Sequence, residues 1–193
     1  MDIIGMIKEN LMKPEILDKL GASVGASPEQ VRKVTDFALP AILGGMTDNS
    51  QTRAGAESLA LALEQHEDEP VDDLAGFIDQ VDSEDGRKIL GHVLGSEQPR
   101  VESALARNTG LDIGQISGLL KQLAPLLLGA LGRQKKEDGL GVSDLTGLLT
   151  RLTNQEDESP ACGLSSLLSR LDADQDGNFM DDVNTLFDKF RNR

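Results

Sequence analysis

Apolar side chains recur every three or four residues through most of the chain, the spacing at which side chains share one face of an α-helix. No run of alternating β-branched and polar residues is long enough to predict a strand. Segment 67–86 shows the pattern clearly at its apolar residues Leu74, Phe77, Ile78 and Val81. The pattern therefore predicts an all-α protein, in which this segment is a helical linker with one apolar face.

The chain also repeats itself. When the sequence is shifted by 85 positions, residues 4–46 lie over residues 89–131 without a gap. The identical pairs include Pro14/Pro99, Gly25/Gly110, Pro40/Pro125 and Gly44/Gly129. Matched prolines and glycines indicate shared structure more strongly than matched leucines, because these two residue types fix backbone geometry. The sequence therefore predicts two related multi-helix repeats packed together, over residues 1–66 and 85–153.

Both repeats predict the same order of helices. A short helix begins near Pro14 or Pro99, since proline suits the first helical turn. It is expected to end near Gly21 in the first repeat and around Asn108 in the second. After a glycine turn, a side-chain oxygen caps a long apolar helix, whose internal proline should bend it. The capping residues are Ser27 and Asp112, and a third helix follows over residues 55–65 and 142–152.

The two repeats predict one helical body over residues 1–153, either as a single core or as two packed lobes. The polar stretch "TNQEDESPACG" (153–163) is typical of a linker. Residues 154–193 are therefore predicted to comprise this linker and a C-terminal helix–loop–helix.

The segment "DGRKILGHVLGSEQPRVESALARNTGLDIGQISGLLKQLAPLLLGALG" (85–132) resembles the YidB-like family of bacterial domains of unknown function. The resemblance is strong over residues 85–153 and weaker over residues 1–66. Members of that family often end, as this chain does, in an aspartate-rich "DxDxDG…DD" segment. The resemblance implies an all-helical fold and carries no activity with it.

The tail contains "LDADQDGNFMDDV" (171–183), whose residues from Asp172 onward match the first eight positions of an EF-hand calcium loop. Gly177 falls at the sixth position, where that loop turns sharply. The oxygen ligands would come from Asp172, Asp174, Asp176 and the carbonyl of Asn178. Apolar residues at helical spacing flank the loop, namely Leu164, Leu167, Leu168 and Leu171 before it and Val183, Leu186, Phe187 and Phe190 after it.

The match fails at the twelfth position, where an EF-hand carries a bidentate glutamate and this chain has Val183. Asp181 or Asp182 could instead close a shorter loop, and Asp182 is favoured. We therefore predict a calcium site of reduced affinity. The alternative is an exposed turn, in which the aspartates cap the following helix and form Asx-turns. Magnesium is a weaker candidate, because it prefers fewer carboxylates.

The formal net charge of −14 repels phosphate backbones and anionic membrane surfaces. We therefore expect neither nucleic acid nor a membrane as the partner. A single cysteine forms no intramolecular disulfide, and the first residues lack the basic and apolar regions of a signal peptide. These features predict a cytoplasmic protein.

A nucleic-acid-binding regulator is one alternative. Segments 20–34 and 105–120 have the order of a helix-turn-helix motif, whose second helix would place Gln30, Arg32 and Lys33, or their counterpart Gln115, in the major groove. These basic and amide groups are few, and the acidic net charge opposes DNA binding.

An enzyme is the other alternative. It would have to bring Cys162 together with a histidine and carboxylates. His66 lies in the acidic stretch "EQHEDEP", which is expected to be solvated, and His92 is expected to pack on a helix. No spacing of these residues is typical of a metal or nucleophile site.

The sequence therefore predicts a non-enzymatic interaction or assembly module with a calcium-stabilised tail. Its partner is another protein or a second copy of the chain. A hairpin as small as the tail cannot bury two apolar faces by itself. It must dock on its own body, on another copy or on a partner.

Overall fold

The computed structural model describes residues 3–155, and within this range the chain is helical apart from its connecting turns. Its α-helices are α1 (Ile3–Leu11), α2 (Pro14–Val24), α3 (Pro28–Ser50), α4 (Arg53–His66), α5 (Leu74–Gln80), α6 (Ser83–Val93), α7 (Gln98–Thr109), α8 (Ile113–Asp138) and α9 (Val142–Gln155). A short 3-10 turn, Gly95–Glu97, precedes α7. The predicted all-helical fold is confirmed for the described residues.

The two long helices, α3 and α8, begin in the same way. Ser27 Oγ accepts a hydrogen bond from the backbone N–H of Gln30, and Gln30 Oε1 accepts one from the N–H of Ser27. Asp112 and Gln115 form the same reciprocal capping box at the start of α8. Each box satisfies backbone donors that the first helical turn leaves without partners. The predicted caps are therefore confirmed.

The short helices α2 and α7 both end at a glycine in the left-handed region. Gly25 has a φ of 72° and Gly110 a φ of 71°, a conformation that side chains with a Cβ disfavour. The prediction that α2 ends near Gly21 is wrong. The helix continues to Val24, because Gly25 is the residue that adopts the left-handed conformation.

Helix α8 lies at the centre of the body. It packs against α1, α2, α3, α4, α6 and α7, and every residue over 122–132 is buried. Pro125 lies inside α8 as Pro40 lies inside α3, and both helices continue through their proline. The buried apolar side chains of the described residues form one cluster that includes members from α1 to α9. The two halves of the body therefore share one core.

Two glycines let neighbouring helices approach α8 closely. A Cβ on Gly86 of α6 would lie 2.0 Å from the carbonyl oxygen of Lys121, and one on Gly132 of α8 would lie 2.3 Å from that of Leu63 in α4. Neither distance leaves room for a carbon atom. Helices α4 and α6 therefore both lie directly on α8, and the surface between them forms a groove.

Candidate functional site

A groove with a volume of about 550 Å³ runs between α4 and α6, with Leu128 of α8 at its base. Its lining side chains from α4 recur at helical spacing, because they share one face of that helix. They are Ser58, Leu59, Leu61, Ala62, Gln65 and His66, together with Gly55. Those from α6 follow the same spacing and are Asp85, Lys88, Ile89, His92 and Val93. Asn49, near the end of α3, completes the lining.

The groove combines an apolar interior with a polar edge. Leu59, Ile89 and Leu128 are buried, whereas Ser58 and Lys88 are exposed. Leu61 lines the groove although its exposed fraction is 61%. Within residues 3–155 this side chain is uncovered, and it extends the buried apolar lining to the surface, where a partner could contact it.

His66, the last residue of α4, connects the two walls of the groove. Its Nδ1 lies 3.4 Å from Glu69 Oε1, and its Nε2 lies 3.6 Å from Asp85 Oδ2 on α6. The side chain is only 12% exposed. The expectation that His66 is solvated is therefore wrong, because Glu69 and, on α6, Asp85 lie beside the imidazole.

His92 lies on α6 but is exposed at the groove, so the expectation that its side chain is packed is wrong. The backbone beside it is held by Asn49, whose Nδ2 donates to the carbonyl oxygens of His92 and Val93 at 2.9 and 3.0 Å. These bonds join the end of α3 to the last turn of α6, where carbonyl groups lack helical partners. The two histidines of the chain therefore line one groove, which their distance in sequence did not indicate.

Ion pairs fasten the acidic segment after α4 to the end of α8. The Lys136 ammonium lies 2.9 Å from Glu67 and 2.8 Å from Asp68, and hydrogen bonds to Asp68 and Glu67 raise the pKa of Lys136 above its usual value. Arg133 bonds Asp72 in the same segment. The acidic run is therefore partly neutralised, and it holds the loop that carries Glu69 near His66.

The predicted calcium ligands lie outside the described residues: Asp172, Asp174, Asp176, Asn178, Asp181 and Asp182. Cys162 also lies outside them, so the structure places only the two histidines of the enzyme hypothesis. Within the described part of the chain, no three His, Cys, Asp or Glu side chains are grouped so that they could hold a metal ion. His66 Nε2 lies 3.6 Å from Asp85 Oδ2, an ionic distance longer than a hydrogen bond, and His92 does not complete a ligand set with them.

Of the four residues in the DNA-binding hypothesis, two are exposed and two are hydrogen-bonded within the protein. Arg32 and Lys33 are exposed on α3. Gln30 and Gln115, in contrast, are bonded within the protein. Gln115 Nε2 donates to the backbone carbonyls of Val24 and Gly25, and Gln30 Nε2 donates to that of Thr109. Their side chains therefore hold helices together.

The fold and the groove define a small all-helical domain with an open, amphipathic groove on one face. A family model described as bacterial protein of unknown function (DUF937) matches residues 6–134, and the chain belongs to this family. The narrower resemblance to the YidB-like family stays a prediction. Comparison with curated proteins and with solved structures finds no match. Among helices of the described region, none is both long and apolar enough to cross a bilayer.

Proposed function

We propose that the protein is a non-enzymatic, cytoplasmic interaction or assembly module whose docking surface is the groove between α4 and α6. The observation that carries this proposal is Leu61, which is largely exposed and lines a depression that also contains the buried apolar side chains of Leu59, Ile89 and Leu128. The groove has a volume of about 550 Å³, which is enough for several side chains of a docked segment. An exposed apolar side chain of this kind is costly in water unless a partner covers it.

The polar edge of the groove supports the same proposal. Protein interfaces commonly have an apolar centre and a polar rim that selects the partner. Here Gln65, Lys88 and His92 supply donors on the rim, whereas Asp85 supplies an acceptor. A docked segment would bury the apolar centre and exchange hydrogen bonds with these groups.

We further propose that calcium orders the tail through a loop that binds the ion with oxygen atoms of Asp172, Asp174, Asp176 and Asn178 and of Asp181 or Asp182. Carboxylates at alternate positions followed by glycine suit the six to eight oxygen ligands of calcium. Their mutual repulsion without a cation would keep the flanking segments apart. Calcium would then decide whether the tail presents an apolar face for docking.

Calorimetry tests the calcium proposal. The full chain should release or absorb heat on addition of calcium, and Asp174→Ala should weaken binding at least tenfold, since it removes a charged ligand. Gln175→Ala is the matched control, because the fourth loop position supplies no side-chain ligand, and it should bind like the wild type. Absence of calcium heat from the wild type, or equal affinity of Asp174→Ala, would overturn the proposal.

We also propose that the body consists of two copies of one unit that exchange their third helices. In support, α9 packs on α3, and α4 packs on α8 as well as on α3 of its own half. Two hydrogen bonds between the halves are also reciprocal. Gln30 donates to the carbonyl of Thr109, and Gln115, 85 positions later, donates to that of Val24, which lies 85 positions before Thr109. Reciprocal contacts of this kind are typical of a two-fold interface between identical units.

Gln115→Ala should lower the free energy of unfolding by about 1–2 kcal/mol, because the variant loses both the capping box and the bonds to the end of α2. Gln30→Ala should lower it by a similar or smaller amount. Gln80→Ala is the control at an exposed helix end and should stay within about 0.5 kcal/mol of the wild type. Denaturant unfolding measures all three, and no loss for Gln115→Ala would contradict the role of this side chain.

A further inference from the structure

We propose that the groove between α4 and α6 receives the C-terminal segment 183–190 of the same chain. This inference rests on the proposed function, in which the groove is a docking surface and calcium orders the tail. It adds the identity of the occupant. The segment would then occupy the groove when the calcium loop is formed.

The apolar face of the segment matches the groove. Val183, Leu186, Phe187 and Phe190 recur at helical spacing, so a helix would present all four on one side. Helix-in-groove recognition uses anchors at this spacing. The groove offers Leu61 at its edge and Ile89 and Leu128 inside it, an apolar surface suited to aromatic anchors.

The charges are complementary as well. The chain has a net charge of −14, yet its last stretch carries Lys189, Arg191 and Arg193 against a single acid, Asp188. The first turn of α6 carries acidic side chains, and Asp85 from that turn lines the groove. Lys88 also lines the groove, so the attraction is local to the turn that carries Asp85, and it would act on Lys189 and on the two arginines that follow the segment.

The tail is able to reach the groove. It follows α9, which packs against α4, the helix that forms one wall of the groove. Eight residues, the length of segment 156–163, can span at most roughly 25 Å, whereas the radius of gyration of a domain of this length is about 15 Å. Because the tail is tethered, its effective concentration at the groove is on the order of millimolar, which favours it over a second copy in dilute solution.

The two histidines make a direct test possible, because both line the groove and the chain contains no others. Their imidazole resonances can be recorded by NMR on the full chain with saturating calcium. The double variant Phe187→Ser/Phe190→Ser should shift the resonances of both His66 and His92, since it would empty the groove. Asn184→Ser, which lies off the apolar face, should leave them unchanged.

Unchanged histidine resonances in the double variant would overturn the inference. Resonances that move with protein concentration, accompanied by a dimer mass in sedimentation, would also overturn it and make a second copy the occupant. Calorimetry on the same samples separates the two proposals. If calcium binding is detected but the histidine resonances do not change in the double variant, only the docking of the tail is contradicted. If no calcium binding is detected, the calcium-ordered tail itself is contradicted.

Discussion

Replacing Leu63 with alanine should lower the free energy of unfolding by about 3–5 kcal/mol, the range for leucine truncation in a packed core. Leu63 is 0% exposed on α4, and its backbone carbonyl lies against Gly132 of α8. The surrounding helices cannot collapse into the cavity without breaking this close contact. The expected loss is a large part of the stability of an ordinary domain.

Leu61→Ala is the matched control, with the same substitution two positions away on the same helix. Leu61 is exposed at the groove, so in calcium-free buffer, where the proposed tail contact is absent, its truncation should change the free energy of unfolding by less than about 0.5 kcal/mol. Urea unfolding followed by helical circular dichroism measures both variants. Similar losses for Leu61→Ala and Leu63→Ala would contradict the orientation of α4 and the position of the groove.

Gly86→Ala should destabilise the protein by about 2–3 kcal/mol, since the added carbon would force α6 away from α8. Its Cβ would lie 2.0 Å from the carbonyl oxygen of Lys121 and 2.9 Å from the Cα of that residue. Backbone atoms inside a buried helix cannot turn aside as the end of a side chain can. The gain of about 1 kcal/mol in helix propensity from glycine to alanine is too small to offset this clash.

Gly91→Ala, on the same helix, should change the stability of the protein in the opposite direction. No atom lies within 4 Å of a Cβ built at this glycine, so alanine should stabilise the protein by about 0.5–1 kcal/mol through helix propensity. Thermal unfolding should therefore place the two variants on opposite sides of the wild type. If Gly86→Ala were as stable as Gly91→Ala, the close packing of α6 on α8 would be wrong.

The fold of the described residues could be predicted because local signals agree with the packing. Prolines and glycines at matched positions, and the caps at Ser27 and Asp112, predicted the starts of the long helices and the turns before them. These signals act over a few residues and are visible in the sequence. The predicted end of α2 is too early. Glycine is common at helix ends, which favours Gly21, but the residue that adopts the left-handed conformation is Gly25.

The groove could not be predicted from the same signals. It depends on the distance between α4 and α6, which is set by the contact of Gly86 with α8 and of Gly132 with α4. Glycine is common in the chain, and its sequence position does not show which glycines are contacted by another backbone. His66 was assigned to a solvated acidic run for the same reason, since only tertiary packing brings Asp85 to its imidazole.

A calcium titration observed at the two groove histidines tests most directly whether calcium directs the tail into the groove. We predict that the imidazole resonances of His66 and His92 shift together in the wild-type chain, with the midpoint that calorimetry gives for calcium binding. The same titration of Asp174→Ala should produce no shift at equal calcium concentrations. Histidine resonances that stay fixed while the wild-type chain binds calcium would contradict the coupling of the tail to the groove.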